Sequence, residues 1–285
     1  MINTQEIFLL VRKSISDARE LIRQANQIDI DSYGDLVEVD TLLRIIDEIT
    51  LQQPLYNSTI TKNKFGKYAM ETRYFNIGEL GIMIEGNNVY AFFEILLNLI
   101  LTQNKGYFNL NNKNYGVINL LLSIVNTVLE NNNMIDCYKI VNSNNFFNDY
   151  SNYVLIGGEK FLKSFNYYND LKIIKYCYNE FNVFIDDLNL IEAIDKKACV
   201  YSNLDLDIEY TKINNIDEAI NFINKNKYNY NSTILSNDEE NTLKFLTTVQ
   251  SRYVFSNVLL SANNRVGINQ TDLLIEKTIA YQENA

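Results

Sequence analysis

The sequence predicts an α/β protein built on mainly parallel sheet, and three observations carry that expectation. Residues 207–257 read strand–helix–strand–helix–strand with short connections, the sequence form of a right-handed βαβαβ unit. Residues 81–185 alternate short apolar runs with longer helical ones in the same way. Hydrophobic residues make up 47% of the 285, which is ample for a core.

Taken in order, Thr4 to Gln27 sets Ile7, Leu10, Val11, Ile15, Ala18, Leu21 and Ile22 at helical spacing and predicts one amphipathic helix. Asp40 to Thr50 predicts a second. Pro54 to Asn63 reads as a break, and Phe65 to Glu71 as a strand or extended turn. Gly78 and Gly81 punctuate a turn before the buried strand Gly81 to Ile84. Asn88 to Thr102 is a strongly apolar helix, Gly106 to Leu110 a short strand, and Tyr115 to Glu130 a helix. Further strands are expected at Ile135 to Val141, Tyr153 to Ile156, Leu171 to Tyr176 and Asn182 to Ile185, with a helix from Glu159 to Phe165.

The later stretch opens with the alternating strand Ile208 to Ile213. Asn215 and Asp217 can cap the next helix, which turns Ala219, Ile220, Phe222 and Ile223 inward. Ser232 to Leu235 is a strand. Ser236 to Glu240 is a capped, acidic helix start, with Leu243, Phe245, Leu246 and Val249 as the apolar face, and Arg252 to Val258 is the last strand of the unit. The expected organisation is N-terminal helices over 1–60, a dinucleotide-type α/β domain over 61–186, a smaller α/β lobe over 187–257 and a C-terminal strand segment over 258–285.

Composition excludes several functions. The formal charge is −10, from 35 acidic and 25 basic residues, which argues against nucleic-acid or anionic-membrane surfaces. The longest apolar run, Ala91 to Leu101, is interrupted by Glu94 and Asn98 and is too short to span a membrane. Met1 to Leu10 lacks the features of a signal peptide, so a cytoplasmic location is expected. Cys137, Cys177 and Cys199 are odd in number and dispersed, as reduced thiols are. With no histidine at all, no His-dependent triad and no His-ligated metal is available. No Walker loop and no GxGxxG occurs.

Several words in the chain stand in a familiar order. They are YFNIGELGIMIE, YVLIGGEKFLKSF, NEFNVFIDDLNLIEAI, NIDEAINFIN, STILSNDEENTLKFL, SRYVFSN and RVGINQ. In order and spacing, over most of residues 74–270, they resemble the γ-glutamyl-phosphate reductases (glutamate-5-semialdehyde dehydrogenases), a branch of the aldehyde dehydrogenase superfamily. The resemblance implies an aldehyde-dehydrogenase-like fold with a reduced second lobe. It also implies NADP(H) as cofactor and pairing of C-terminal segments between subunits, in a homo-oligomer or with a protein partner.

In such enzymes a cysteine thiolate attacks the acyl phosphate or aldehyde, and NADP(H) exchanges a hydride with the adduct. The candidate by order is Cys199 in DKKACVYSN, where Lys196 and Lys197 can favour the thiolate. The chain departs from the pattern here. Lys197-Ala198 replaces the Arg-Pro-Ser approach. Only Val200 to Asp207 follows where the family has a long block of catalytic domain, and eight residues span at most roughly 29 Å. A buried or incidental cysteine is the favoured reading, and with it a diverged, non-catalytic protein with a binding or assembly role. The alternative is an active NADPH-dependent reductase of an acyl phosphate or aldehyde.

Candidate cofactor residues are Asn109, Asn111 and Lys113 in the turn before the helix at 115, where Asn tolerates left-handed backbone and Lys can meet a phosphate. Gly157 and Gly158 form a second candidate, whose commoner meaning is a tight strand-to-helix turn. The acid pairs Asp186-Asp187 and Asp205/Asp207, and the run Asp238-Glu239-Glu240, read as solvated or helix-capping groups.

Overall fold

A computed structural model describes residues 4–33, 37–65, 68–86, 88–110, 116–135, 137–143, 145–165, 171–177, 181–187, 198–225, 231–251, 253–257 and 268–282. The chain divides into two compact units. The first comprises Met1–Leu155, Tyr168–Ile174 and Gly267–Ala285, and the second Ile156–Tyr167 and Lys175–Val266.

The N-terminal helix is broken in two. α1 (Thr4–Asp17) and α2 (Arg19–Tyr33) meet at Ala18, whose amide still reaches Ser14 O at 3.0 Å. Ile7, Val11 and Ile15 are buried, whereas Leu10 and Leu21 face solvent. α3 (Val39–Thr50) buries Leu42, Leu43, Ile45, Ile46 and Ile49 along one stripe.

What the sequence presents as a break followed by a strand or extended turn is a hairpin, β1 (Thr59–Phe65) against β2 (Tyr68–Asn76). Every residue of β1 is exposed, so it carries no burial alternation to betray it as a strand. β13 (Leu274–Gln282) joins the other edge of β2 over nine antiparallel pairs, from Leu274↔Asn76 to Gln282↔Tyr68. These three strands form a sheet of their own, in the order β1-β2-β13.

Glu71 stitches that sheet across its width. Tyr281 of β13 donates to Glu71 Oε1 at 2.7 Å, Lys62 of β1 lies 3.1 Å from the same oxygen, and Arg73 pairs with Oε2. The Tyr281 hydrogen bond, then Lys62 and Arg73 against the desolvation of a buried group, hold the carboxyl down from 4.5 to about 2. A depressed folded pKa means that the stabilisation is complete above the unfolded value and disappears as pH falls through the folded one. The melting-temperature gap between wild type and Glu71→Gln should therefore be constant above about pH 5 and close between pH 4.5 and 2. A gap that persists unchanged at pH 2 would contradict the stitch.

A five-stranded sheet follows, in the order β5-β4-β3-β6-β7, comprising β3 (Glu79–Ile84), β4 (Lys105–Leu110), β5 (Tyr138–Ile140), β6 (Asn152–Gly157) and β7 (Lys172–Cys177). β3–β4 and β4–β5 are parallel. Chain order runs outward from β3 in one direction and resumes at β6 in the other, the doubly wound pattern. α4 (Val89–Thr102) is buried from Val89 to Thr102 except at Tyr90, as a helix apolar on all sides requires. Its two polar interruptions are buried too. Glu94 Oε1 accepts the amide of Ile268 at 2.9 Å, anchoring the returning C-terminal chain, and Asn98 donates to Glu94 O. α5 (Gly116–Glu130) and the short α6 (Phe146–Asp149) complete the first unit's helices.

The second unit has its own five-stranded sheet in the order β10-β9-β8-β11-β12, with β8 (Phe181–Ile185), β9 (Ala198–Ser202), β10 (Thr211–Lys212), β11 (Asn231–Leu235) and β12 (Tyr253–Ser256), all pairs parallel. α7 (Glu159–Ser164) precedes it, and α8 (Ile216–Lys225) and α9 (Glu239–Thr248) connect its later strands. The expected βαβαβ alternation is present, but its strands are not contiguous, because β9 and β8 stand between β10 and β11. The strand expected over Ile208 to Ile213 shrinks to two edge residues, and β9 was not expected at all. Ile220, Ile223, Ile234, Phe184 and Phe245 form the core on the helix-covered face. Leu243 and Leu246, read from sequence as inward, are 65% and 38% exposed, and Phe222 is 42% exposed. With only ten residues, α9 buries one side chain, Phe245. Among the described residues no helix is long and apolar enough to cross a membrane.

Candidate functional site

In parallel sheets, helices return antiparallel to the strands, so their N-termini gather beyond the strands' carboxyl ends. Ligands bind there, where the strand order reverses. In the second unit the reversal falls between β8 and β11. Beyond those ends stand Asp186, Asp187, Ser236, Asn237 and Asp238, and every one is engaged. Asp238 Oδ1 accepts the amides of Glu240 and Asn241 at 2.9 and 3.1 Å, so it is the N-cap of α9 that the sequence indicates. Asn241 Nδ2 donates to Asp186 Oδ2 at 3.1 Å, and Asn237 donates to Asp187. Asn257, at φ +54°, clamps the Ser236 backbone through both ends of its amide, at 3.0 and 3.1 Å. Asp205 pairs with Lys212 at 2.6 Å on the surface. Among the described residues no cluster of acidic or cysteine side chains can hold a metal.

Cys199 stands at the opposite end of this sheet. It is the second residue of β9 and pairs in register with Asn182, the second residue of β8, which in turn pairs with Ser232 of β11. The row continues as a polar seam, with Asn182 Nδ2 to Ser232 Oγ at 3.4 Å and Ser232 Oγ to Ser251 Oγ at 2.6 Å. Cys199 is exposed and not in a disulfide, so the buried reading is corrected. The carboxyl end of β9 is Ser202, roughly 10 Å further along the strand, where its hydroxyl bridges Ile185 O and the amide of Leu204. Among the described residues of this unit, the N-termini of α8 and α9 therefore lie at the far end from the thiol. Lys196 and Lys197 fall outside the described residues.

Of the cofactor candidates, Asn109 is half-buried near the carboxyl end of β4, with a 3.4 Å contact to Ser143 O. Asn111 and Lys113 lie outside the described residues. Gly157 is the buried last residue of β6. Gly158 precedes α7 at φ −70°, and its carbonyl accepts Leu162 N at 3.0 Å. Nothing in that backbone requires glycine.

One residue here was not anticipated. The carboxylate of Asp29 in α2 sits on the N-terminus of α5, accepting the amide of Gly116 at 3.0 Å on Oδ1 and that of Val117 at 2.9 Å on Oδ2. A Cβ on Gly116 would lie 3.1 Å from Asp29 Oδ1 and 3.3 Å from Ala25 O, so a glycine keeps this contact close. A carboxylate so placed satisfies two orphan donors and meets the positive end of the helix dipole, worth roughly 0.3–1 kcal/mol. No local sequence signal joins residues 87 apart.

No protein-family model matches the chain, and no curated protein matches it significantly in sequence. Solved structures do. γ-Glutamyl phosphate reductase from Thermotoga maritima aligns with 99% of this chain and 94% of its own, at a TM-score of 0.71 and 13% identity. The fold is the aldehyde dehydrogenase fold. Glyceraldehyde-3-phosphate dehydrogenase from Methanocaldococcus jannaschii, complexed with NADP, gives a TM-score of 0.70 at 14% identity over 98% and 89% of the two chains. Aldehyde dehydrogenase 21 from Physcomitrella patens, in complex with the product succinate, gives 0.67 at 11% over 99% and 86%. At these identities the likeness is one of fold alone.

Proposed function

We propose that this chain is a non-catalytic aldehyde-dehydrogenase-fold protein of the cytoplasm that acts in assembly, pairing with a second copy through its β1-β2-β13 sheet. The observation that carries the reading is the place of Cys199, at the amino end of β9 and away from the helix N-termini. Among the described residues of this unit, no helix N-terminus stands beside a thiolate there to supply the preorganised amides that acyl transfer requires. The three-stranded sheet supports the assembly role, because among the described residues β1 is its edge strand, with Ile60 and Phe65 exposed on β1 and Tyr68 and Met70 exposed on the neighbouring β2.

An NADPH-dependent reductase is the second reading. It is favoured by the exposure of Cys199, by the Asn182 amide in register beside it, and by the NADP carried by one structural neighbour. Thermal melting with NADPH and NADH separates the two. Ligand at a hundred times its dissociation constant adds about 2.7 kcal/mol to stability, whereas the assembly reading expects no shift at millimolar cofactor. Cys199→Ala is expected to change stability by less than about 0.5 kcal/mol. A saturable NADPH shift, together with a turnover that Cys199→Ala abolishes in a folded protein, would overturn the non-catalytic reading.

A further inference from the structure

We infer that the cleft between α2 and the entry to α3 is a binding site for a small zwitterion, an α-amino acid with an aliphatic side chain. The cleft lies wholly within the first unit and involves neither the thiol nor the three-stranded sheet, so the inference stands apart from the assembly reading. Its volume is about 610 Å³, within the range in which small ligands are ordinarily held. Arg19, Arg23 and Asn26 recur at helical spacing on one face of α2 and line one wall. Asn26 decides the chemistry. It is 3% exposed, and its Oδ1 accepts the amide of Val37 at 3.1 Å. That amide can only donate, so the side-chain oxygen is the atom turned to it and Nδ2 is the atom left to the cleft. Nδ2 has no acceptor among the described residues. A donor that is buried and unmatched is costly, and a ligand carboxylate supplies what it lacks.

Arg23 adds a charge to that donor. Among the described residues it meets only Glu20, at 3.6 Å with both side chains largely exposed, so its guanidinium can close on a carboxylate. The opposite sign lines the same space. Glu20, Glu38 and Asp40 face it, so three carboxylates stand against two guanidiniums. Asp40 is paired with Arg19, which ties α2 to α3, while Glu38 spends one oxygen on Thr41 Oγ1 at 3.3 Å. This balance repels a phosphate and suits a ligand that brings its own cation, with the ammonium set towards Glu38 and the carboxylate towards Asn26 and Arg23. Val37 and Val39 give the cleft its apolar wall, which an aliphatic side chain covers. The far side is held in place before any ligand arrives, because the Glu38 amide donates to Tyr90 Oη of α4 at 2.8 Å.

Isothermal titration of the full chain with L-leucine tests the site, beside the two halves of that molecule. Isocaproate keeps the carboxylate and side chain without the amine, and isoamylamine keeps the amine and side chain without the carboxylate. L-Leucine should bind saturably in the millimolar range or tighter, and each half at least about tenfold more weakly. Asn26→Asp retains the acceptor for Val37 but sets a carboxylate oxygen where Nδ2 stood, and should weaken L-leucine by at least about tenfold. Arg23→Gln should weaken it by a similar factor. That side chain is 81% exposed, so the variant should melt within a few degrees of wild type and keeps the test decisive if Asn26→Asp does not fold. No saturable heat from L-leucine would overturn the site. So would isocaproate binding as tightly as L-leucine, or L-leucine binding unchanged in Arg23→Gln.

Discussion

Asn104→Ala should destabilise the first unit by about 2–4 kcal/mol, far more than an average polar substitution. Asn104 lies two residues past α4, is 2% exposed, and uses both ends of its amide. Its Oδ1 accepts the amide of Gly78 at 2.9 Å, which fixes the turn into β3. Its Nδ2 donates to Thr102 Oγ1 at 2.8 Å and to Leu273 O at 2.7 Å, which fixes the 3-10 turn Gln270–Leu273 leading into β13. Alanine leaves buried donors and acceptors without water to replace the lost partner, and each costs roughly 1–3 kcal/mol. Asn104→Asp keeps the acceptor for Gly78 but removes both donations and buries a charge, so it should be no milder. Urea unfolding of the three proteins measures the difference. A loss below about 0.5 kcal/mol for Asn104→Ala would show that this hub is not what holds the returning chain.

Removing residues 274–285 is expected to abolish self-association. The cut deletes all nine β13 pairs with β2 and takes Tyr281 away from Glu71, so both the sheet and its stitch are lost. Light scattering on the eluting protein should give a multiple of the 33.1 kDa chain mass for wild type and a single chain mass for the truncation. Phe65→Lys is the gentler companion. It puts a charge on an exposed apolar position of β1 that pairs with Tyr68, leaving the nine-residue ladder between β2 and β13 intact. It should weaken association without lowering the melting temperature by more than a few degrees. A wild-type chain that stays monomeric at tens of micromolar would end the assembly reading.

The elements legible in the sequence are those whose own residues encode their burial. α4 reads as a helix hidden on all sides because no polar face exists for it to present, and it is buried almost throughout. Asp238, with two acids behind it, reads as a helix start because the capping bonds it makes are local. The strands β3, β6 and β8 announce themselves as short, largely apolar runs, with buried residues on successive positions.

What the tertiary structure decided are the relations between distant residues. Strand order placed β9 and β8 inside the apparent βαβαβ unit, a fact that no local pattern encodes, since pairing is chosen by the whole sheet. β1 is a strand only because β2 lies beside it. The sequence nominated Cys199 by its order in the chain, but its chemistry depends on which end of β9 it occupies and where the helices begin. Asp29 reaches α5 across 87 residues, and only packing of α2 on α5 turns an ordinary helical acid into the cap of another helix. Local burial is written residue by residue, whereas a site is a set of distances, and distances between remote residues exist only once the chain has folded.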